Sequence, residues 1–188
     1  MLSPAIAGQN VHIVTEPAHS ANNFDGAKQQ LPSAWLIDNH DEGVLMATTW
    51  EDLIPGTVTG SIEFVVTDQM IDEYLDAMEF SHAWFTTGAA PYATRIAPTD
   101  LVAKLAMTDV FQNYIHRELG PNMRARQAFQ FYAPIRAGAK VKATGRLTEK
   151  YEKRGKRFVT LEALFTDEKD NPLLLDKRTQ YLLPPKTA

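Results

Sequence analysis

PTDLVAKLAMTDVFQNYIH, residues 98–116, is the longest helical pattern in this chain. Its apolar side chains recur at roughly helical spacing and give one broad apolar face (Leu101, Val102, Leu105, Ala106, Val110, Phe111, Tyr114 and Ile115). Pro98 suits the first helical turn, because its missing N–H would have no partner inside the helix. Gly120 and Pro121 predict the end of the helix. A helix this apolar requires a second layer of structure to bury it.

The residues after this helix predict the sheet that covers it. Apolar and polar side chains alternate in segments 123–133, 140–150 and 158–166, and more loosely in 173–183. The links between these segments are short and rich in turn-forming residues, so we expect antiparallel neighbours. In the first segment the alternation places four apolar residues on one face (Met123, Ala125, Phe129 and Phe131).

A strand, a short helix and an aromatic loop precede the long helix. Residues 57–66 predict the strand, Thr67 a helix N-cap, and residues 68–78 the short helix. Residues 79–97 are irregular and rich in aromatic side chains. A long connection of this kind favours a binding loop. Packing over the core is the alternative interpretation.

The order of these elements predicts an α+β fold, in which one antiparallel sheet wraps around one long helix. We expect a domain over residues 51–188, with residues 1–50 as an N-terminal extension that packs on it. An open edge or face of a single sheet needs a cover, and a homodimer or a higher oligomer is a natural way to provide one.

Composition narrows the classes of function. The 188 residues suit a single domain, and the net charge of −4 gives no reason to expect nucleic acid as a partner. No apolar run approaches the ~18 residues of a membrane span, so no membrane association is expected. The N-terminal residues lack a basic start followed by an apolar core, so we expect no secretory signal and favour the cytoplasm.

Neither a metal nor an organic cofactor is expected. The sequence has no cysteine, which excludes a disulfide, a thiolate nucleophile and a cysteine zinc site. His12, His19 and His40 lack metal-ligand spacing. No phosphate-binding glycine loop is present. His116 at the end of the long helix is explained by the helix dipole without a functional role.

Four stretches together resemble a known family. They are GSIEFVVTDQMIDEYLDAM (residues 60–78), RIAPTD (95–100), QAFQFYAPIRAGAKV (127–141) and YEKRGKRFV (151–159). In this order they resemble the hotdog-fold MaoC-like dehydratases, and especially the FAS1-like N-terminal dehydratase domain. The resemblance covers residues 50–184 and implies a hotdog sheet around the long helix, dimerisation, and a thioester substrate carried on coenzyme A or an acyl carrier.

The resemblance also reveals a departure from the family pattern. Catalytic members carry an Asp and a His five residues apart in the loop after the short helix, in a pattern like D-x-N-P-x-H. Here the Asp position falls on Phe80 or its neighbour Glu79, and the His position on Phe85. A family His-Gly pattern that opens the long helix falls near Pro98. Phenylalanine can neither donate nor accept a proton, so the usual dyad is not in its place.

Glu79 and His82 are the candidate catalytic residues, since both side chains are general acid–base types and they lie three residues apart in this loop. They would form a relocated dyad. The alternative is that both are solvated loop residues.

The candidate substrate-binding residues lie in three places: the aromatic loop, the start of the long helix and a basic hairpin. Phe80, Trp84 and Phe85 would line an acyl tunnel, and Arg95 and Pro98 lie where the helix N-terminus could hold an anion. A basic hairpin could hold the phosphates of coenzyme A, with Lys153, Arg154 and Lys156 around its turn and Lys150 and Arg157 beside them. Solubility alone is the alternative explanation for these exposed cations.

Three functional hypotheses follow. The first is a hydratase or dehydratase acting on 2-enoyl or 3-hydroxyacyl thioesters without a metal or redox cofactor. The second is a catalytically silent thioester-binding subunit of a hetero-oligomeric hydratase, whose partner supplies the dyad. The third is a thioesterase, in which Asp109 on the long helix would be the carboxylate to suspect.

Overall fold

In the computed structural model, which describes residues 47–115 and 121–184, five strands form one antiparallel sheet in the order β1–β3–β4–β5–β2. The strands are β1 (Val58–Val65), β2 (Asn122–Phe131), β3 (Lys140–Lys153), β4 (Lys156–Thr166) and β5 (Pro172–Leu182). The four strands predicted after the long helix and the one before it are therefore confirmed, as is the α+β fold class.

Three helices lie among the described residues: α1 (Asp68–Ala77), α2 (Ala83–Thr86) and α3 (Thr99–Met107). The N-cap predicted for α1 is confirmed, because the Thr67 hydroxyl accepts a hydrogen bond from the Met70 N–H at 3.2 Å. Ile71 and Leu75 are the buried side chains of α1. They anchor this helix to the core and fix where the following loop begins.

The long central helix is less regular than the sequence pattern predicted. The α-helical part, α3, ends at Met107, and the chain continues as a π-helical turn over Thr108–Gln112. In that turn the Asn113 N–H bonds to the Thr108 carbonyl, five residues back, at 3.0 Å. Pro98 is the N-cap residue and not a member of the first turn. The predicted end near Gly120, like His116, lies outside the described residues.

The π-helical turn approaches the sheet closely where the strands carry glycine. A Cβ on Gly60 would collide with the Asp109 carbonyl, and one on Gly145 with the Val110 carbonyl. The Thr59 hydroxyl donates a hydrogen bond to that same Val110 carbonyl. Two glycines and one hydroxyl therefore let the main chain of the turn rest directly on β1 and β3.

Replacing Gly145 with alanine is expected to destabilise the protein by about 2–3 kcal/mol, because the added methyl group would collide with the Val110 carbonyl and with the Thr59 hydroxyl that bonds to it. Urea unfolding measures the change. Gly155→Ala is the matched control: its Cβ meets nothing within 4 Å, and its positive φ costs only about 1 kcal/mol. Equal losses in the two variants would contradict the close approach of helix and sheet.

The alternation predicted for β2 is wrong at one end of the strand. The register with β5 shifts between Arg124 and Arg126, so Ala125 is an extra residue in β2. An extra residue moves every side chain beyond it to the other face. Met123 therefore lies opposite Tyr181, on the face away from the helix, whereas Phe129 lies opposite Asp176 on the helix face.

The domain begins, among the described residues, with a segment that seals one end of the core. Ala47 pairs with Ile115 in an isolated parallel bridge, and the Leu53 side chain is fully buried. Gly56 donates its N–H to the Leu147 carbonyl at 2.7 Å. The predicted packing of the N-terminal extension concerns residues 1–46 almost entirely, and these lie outside the described residues.

Candidate functional site

The aromatic loop begins at a tight helix end that fixes the position of Glu79. The Phe80 N–H returns to the Leu75 carbonyl at 3.0 Å, a bond that closes the last turn of α1. Glu79 sits inside this turn with a positive φ of 49°. Its side chain is exposed. The helix end thus accounts for the unusual backbone of Glu79 without a catalytic role.

His82 has a structural task in the same loop. It is the N-cap of α2, and its Nδ1 accepts a hydrogen bond from the Trp84 N–H at 3.2 Å. An accepting Nδ1 places the proton of the neutral ring on Nε2. His82 is exposed, as Glu79 is. Neither residue borders the cavity lined by Met107 and Phe111 or the one lined by Lys140 and Asp167.

The aromatic side chains of the loop form one partly exposed cluster. The rings of Phe80 and Phe85 lie 6.0 Å apart, and the Trp84 ring meets that of Tyr92 edge-on at 5.3 Å. The indole N–H of Trp84 donates to the Ala90 carbonyl at 2.9 Å. Phe80 nevertheless remains half-exposed. The loop therefore presents an ordered apolar surface and, in the part of the chain that the structure describes, does not form a closed tunnel.

Arg95 ties the loop to α1. Its Nη1 lies 3.1 Å from Asp68, its Nη2 pairs with Asp72, and its Nε donates to the Phe85 carbonyl. The hydrogen bond that Arg95 donates to Asp72 raises the pKa of the guanidinium, with Asp68 adding to the effect. A substrate anion would have to compete with two carboxylates for this side chain. The substrate-binding role predicted for Arg95 stays a prediction.

Pro98 lies at the start of α3, next to the end of the loop. The Ile96 N–H donates to the Trp84 carbonyl at 3.0 Å, and the Ala97 N–H donates to the Ile135 carbonyl at 2.8 Å. Pro98 itself is buried. The aromatic loop, Arg95 and the N-terminus of α3 are thus brought together, as the sequence predicted from their order along the chain.

The basic hairpin stands at the opposite end of the sheet. The loop contacts residues 135–137, just before β3 begins at Lys140, whereas the hairpin turn follows Lys153 at the far end of β3. At about 3.3 Å per residue the two are separated by roughly 40 Å. Lys153, Arg154 and Lys156 are exposed, and Lys156 Nζ lies over the Tyr181 ring at 5.4 Å. One chain alone does not bring the hairpin and the loop together.

A buried polar network on the helix face of β5 and β2 was not predicted from the sequence. Asp176 is fully buried, with its Oδ2 accepting from Arg178 Nε at 2.7 Å and its Oδ1 accepting from Gln127 Nε2 at 3.0 Å. Burial raises the pKa of the Asp176 carboxyl above its usual value, although both partners favour the charged form. Arg124 donates to Gln127 and completes the network.

This network borders a cavity of about 160 Å³ under the last turns of the central helix. Its walls include Met107 and Phe111 from the helix, Arg124 from β2, Leu161 from β4, and Arg178 and Gln180 from β5. Asp109, the carboxylate of the thioesterase hypothesis, is only partly buried and does not border this cavity. That hypothesis therefore gains no support from the geometry.

Residues 47–115 and 121–184 contain neither a cluster of metal ligands nor a membrane-spanning helix. No group of three or more His, Cys, Asp or Glu side chains there is arranged to hold a metal ion. No helix in the same ranges has the length and apolar character to cross a membrane.

A match to a family model shows which protein family this chain belongs to. The model for the FAS1-like dehydratase domain region matches residues 54–175, from the segment before β1 into β5. The chain belongs to the FAS1-like dehydratase family. The match spans well over half of the chain and contains the aromatic loop, the central helix and most of the sheet. A search of curated proteins found no match.

Solved structures of a hydratase and of two dehydratases share this fold. A MaoC-like dehydratase from Rhodospirillum rubrum is 13% identical, with a TM-score of 0.60 over 73% of this chain and 97% of its own. The HadBC (3R-hydroxyacyl-ACP dehydratase) complex from Mycobacterium tuberculosis is 23% identical, with a TM-score of 0.57 over 64% and 90%. The R-hydratase PhaJ1 from Pseudomonas aeruginosa is 14% identical, with a TM-score of 0.55 over 73% and 86%. These likenesses confirm the hotdog fold.

Proposed function

We propose that this FAS1-like chain is the thioester-binding, non-catalytic half of a hydratase or dehydratase that acts on 2-enoyl or 3-hydroxyacyl thioesters. A partner hotdog chain would supply the acid and the base. The acyl group would be carried on coenzyme A or an acyl carrier. The cytoplasmic location expected from the sequence stays a prediction.

The observation that carries the proposal is the state of the loop in which the family places its dyad. The family resemblance aligns the Asp position of the dyad with Phe80 or its neighbour Glu79, and the His position with Phe85; the rings of Phe80 and Phe85 lie 6.0 Å apart. The two nearby titratable side chains are exposed, and one of them, His82, uses its Nδ1 to cap α2. General acid–base catalysis needs groups held within hydrogen-bond reach of the substrate in a site that excludes bulk water. This loop offers an apolar platform instead.

One structural relative supports a two-chain arrangement. The Mycobacterium tuberculosis dehydratase is described as a complex of two components. In such an arrangement one chain can lose its dyad without loss of the activity of the whole. The alternative, catalysis by a relocated Glu79 and His82, gains no support from the left-handed backbone of Glu79, because the end of α1 accounts for that conformation.

An assay with crotonyl-coenzyme A distinguishes thioester binding without turnover from catalysis by the relocated dyad. We expect the purified chain to leave the enoyl absorbance unchanged and yet to bind the thioester, with quenching of the fluorescence of the partly exposed Trp84. Trp84→Phe should remove that quenching, while Trp50, which lies against Lys150 and Arg157, serves as an internal reference. Absence of both turnover and binding would contradict the proposal.

Substitution of the loop residues tests the relocated dyad directly. We expect Glu79→Gln and His82→Asn to leave thioester binding within about twofold, since neither side chain is held against a substrate site. Asparagine is a good N-cap, so His82→Asn should preserve α2. Turnover by the unmodified chain that falls by about a hundredfold or more in either variant would establish catalysis by this pair instead.

A further inference from the structure

The cavity beneath the central helix lies away from the aromatic loop. It is bordered by Met107, Phe111 and other residues near the C-terminal end of that helix, whereas the loop meets the helix at Pro98. At 1.5 Å per helical residue the separation along the axis is roughly 15 Å. A ligand of this cavity would therefore occupy a site distinct from the thioester site proposed at the aromatic loop.

Arg178 is the central feature of the cavity wall. Only 3% of the residue is exposed, and its guanidinium lies over the Phe111 ring at 5.1 Å. Besides its bonds to Asp176, it donates from Nη1 to Met107 Sδ at 2.8 Å. A guanidinium carries five N–H groups. In the part of the chain that the structure describes, these contacts occupy one hydrogen on each of the three nitrogens, so each terminal nitrogen retains a second one.

The charge around the cavity is not balanced. Among residues 47–115 and 121–184, Arg124 and Arg178 both border it and no acidic side chain does. Asp176, behind Arg178, compensates the charge of this buried guanidinium, and the exposed Arg124 adds a second positive charge that no described acidic side chain at the cavity offsets. The geometry thus favours an anion between the two arginines.

The size and the remaining walls limit the anion. A cavity of about 160 Å³ is close in volume to one of about 150 Å³ that accommodates a benzene ring, so it can take about six non-hydrogen atoms. Phe111 and Leu161 provide apolar surface for a short hydrocarbon part. The buried Gln180 Oε1 lacks a partner among the described residues and is suited to a water held beside the anion. These features together match a small organic acid.

We propose that this cavity binds a short carboxylate of about six non-hydrogen atoms, held between Arg178 and Arg124 with its hydrocarbon part against Phe111 and Leu161. Arg178 forms the inner end of the site and the exposed Arg124 its mouth. The basic hairpin lies at the same end of the sheet as the cavity. Arg157 of β4 pairs with Leu182 of β5, and Leu182 pairs on its other side with Asn122 of β2, which borders the cavity. The cations of the hairpin would raise the local concentration of anions.

Butyrate and butyramide, which have the same number of non-hydrogen atoms, form a matched pair of probes. In ligand-observed NMR titrations of the full chain we expect butyrate to bind at least about tenfold more tightly than butyramide, because only the acid can form charge-assisted bonds to both arginines. Equal affinity for the two compounds, or absence of butyrate binding, would overturn the proposal.

Variants of exposed arginines on one strand locate the site without risk to folding. Arg124→Gln is expected to weaken butyrate binding by about fivefold or more, since it removes the charge at the mouth. Arg126→Gln is the matched control, because Arg126 is equally exposed but lies beyond the irregularity in β2, opposite Thr179 and away from the cavity. It should bind butyrate as the unmodified chain does. Equal affinities in the two variants would place the ligand elsewhere and overturn the proposal.

Discussion

Replacing Arg178 with methionine is expected to destabilise the folded protein by about 3–5 kcal/mol at pH 7, the largest effect of any single change considered for this chain. The substitution leaves Asp176, a fully buried carboxyl, without its ion-pair partner. Methionine keeps most of the volume beside Phe111, so the loss reports the unpaired charge and not an empty space. Urea unfolding followed by circular dichroism measures it.

The pH dependence of this loss has a definite sign. Burial already raises the pKa of Asp176 in the folded protein, and removal of Arg178 raises it further. A carboxyl whose pKa is higher in the folded than in the unfolded state favours folding most at a pH below both values. That contribution is lost as the pH rises through the folded pKa. The Arg178→Met variant should therefore lie closest to the unmodified protein in acid and fall behind as the pH rises.

A second substitution separates the charge from other consequences of the change. Asp176→Asn together with Arg178→Met removes both charges while keeping the hydrogen bond that Gln127 can make at this position. The double variant is expected to recover most of the stability lost at pH 7. Arg126→Met, an exposed arginine on β2, should cost less than about 0.5 kcal/mol. A double variant as unstable as the single one would show that the charge of Asp176 is not the cause.

The sequence predicted those features of the fold that depend on local periodicity. The alternation of β3 and β4, the cap formed by Thr67 and the apolar face of the central helix all follow from spacing along the chain, and the structure confirms them. The π-helical turn could not be predicted in this way. It arises where Thr59, Gly60 and Gly145 let the helix main chain touch the sheet, a contact between segments far apart in sequence.

The polar network illustrates the same limit. Three polar side chains lie on the helix face of β5, where apolar side chains were expected. They are Asp176, Arg178 and Gln180, and they lie between Leu174 and Leu182 on this face. The looser alternation of residues 173–183 was the only feature of the sequence that indicated these polar side chains. Arg124 and Gln127 are three residues apart and would lie on opposite faces of a regular strand. The extra residue Ala125 between them places both on the helix face, where they join the network. A register shift of this kind is set by pairing with β5 and leaves no clear local pattern.

The position of the aromatic loop was predictable, but the tasks of its side chains were not. Arg95, predicted to hold a substrate, pairs with Asp68 and Asp72 of α1, which precede it by more than twenty residues. The cap formed by His82 depends on a short helix, α2, that is too brief to give a periodic signal. The roles predicted for Glu79, His82, Phe80, Trp84, Pro98 and the hairpin cations Lys153, Arg154 and Lys156 stay predictions.

The outer edge of β2 leads to the second large expected effect. Among the described residues, no strand pairs with this edge, and an unpaired strand of ten residues is a template for pairing with another chain. Phe131, near one end of β2, is 49% exposed, and its ring lies against Phe129 at 6.1 Å. An exposed aromatic pair on an open edge is typical of an interface. We expect two copies of this chain to pair there, in the homodimer predicted from the sequence.

Phe131→Glu should therefore convert a dimer into a monomer. A carboxylate buried in the interface without a partner costs several kcal/mol, and the two-fold symmetry of a homodimer introduces it twice. We expect the dissociation constant to rise by roughly a hundredfold or more. Analytical ultracentrifugation would then show the sedimenting mass fall from twice 21.0 kDa to that of one chain.

Ile54→Glu is the matched control for this experiment. Ile54 is also an exposed apolar residue, at 62%, but it lies beside β3 and β1 at the other side of the sheet, where Thr57 and Leu147 pair. Its substitution should leave the mass at that of a dimer. A Phe131→Glu variant that remains dimeric would place the interface away from β2. A dimer lost in both variants would show that the added charge, and not its position, is responsible, and would contradict the assignment of the interface to the edge of β2.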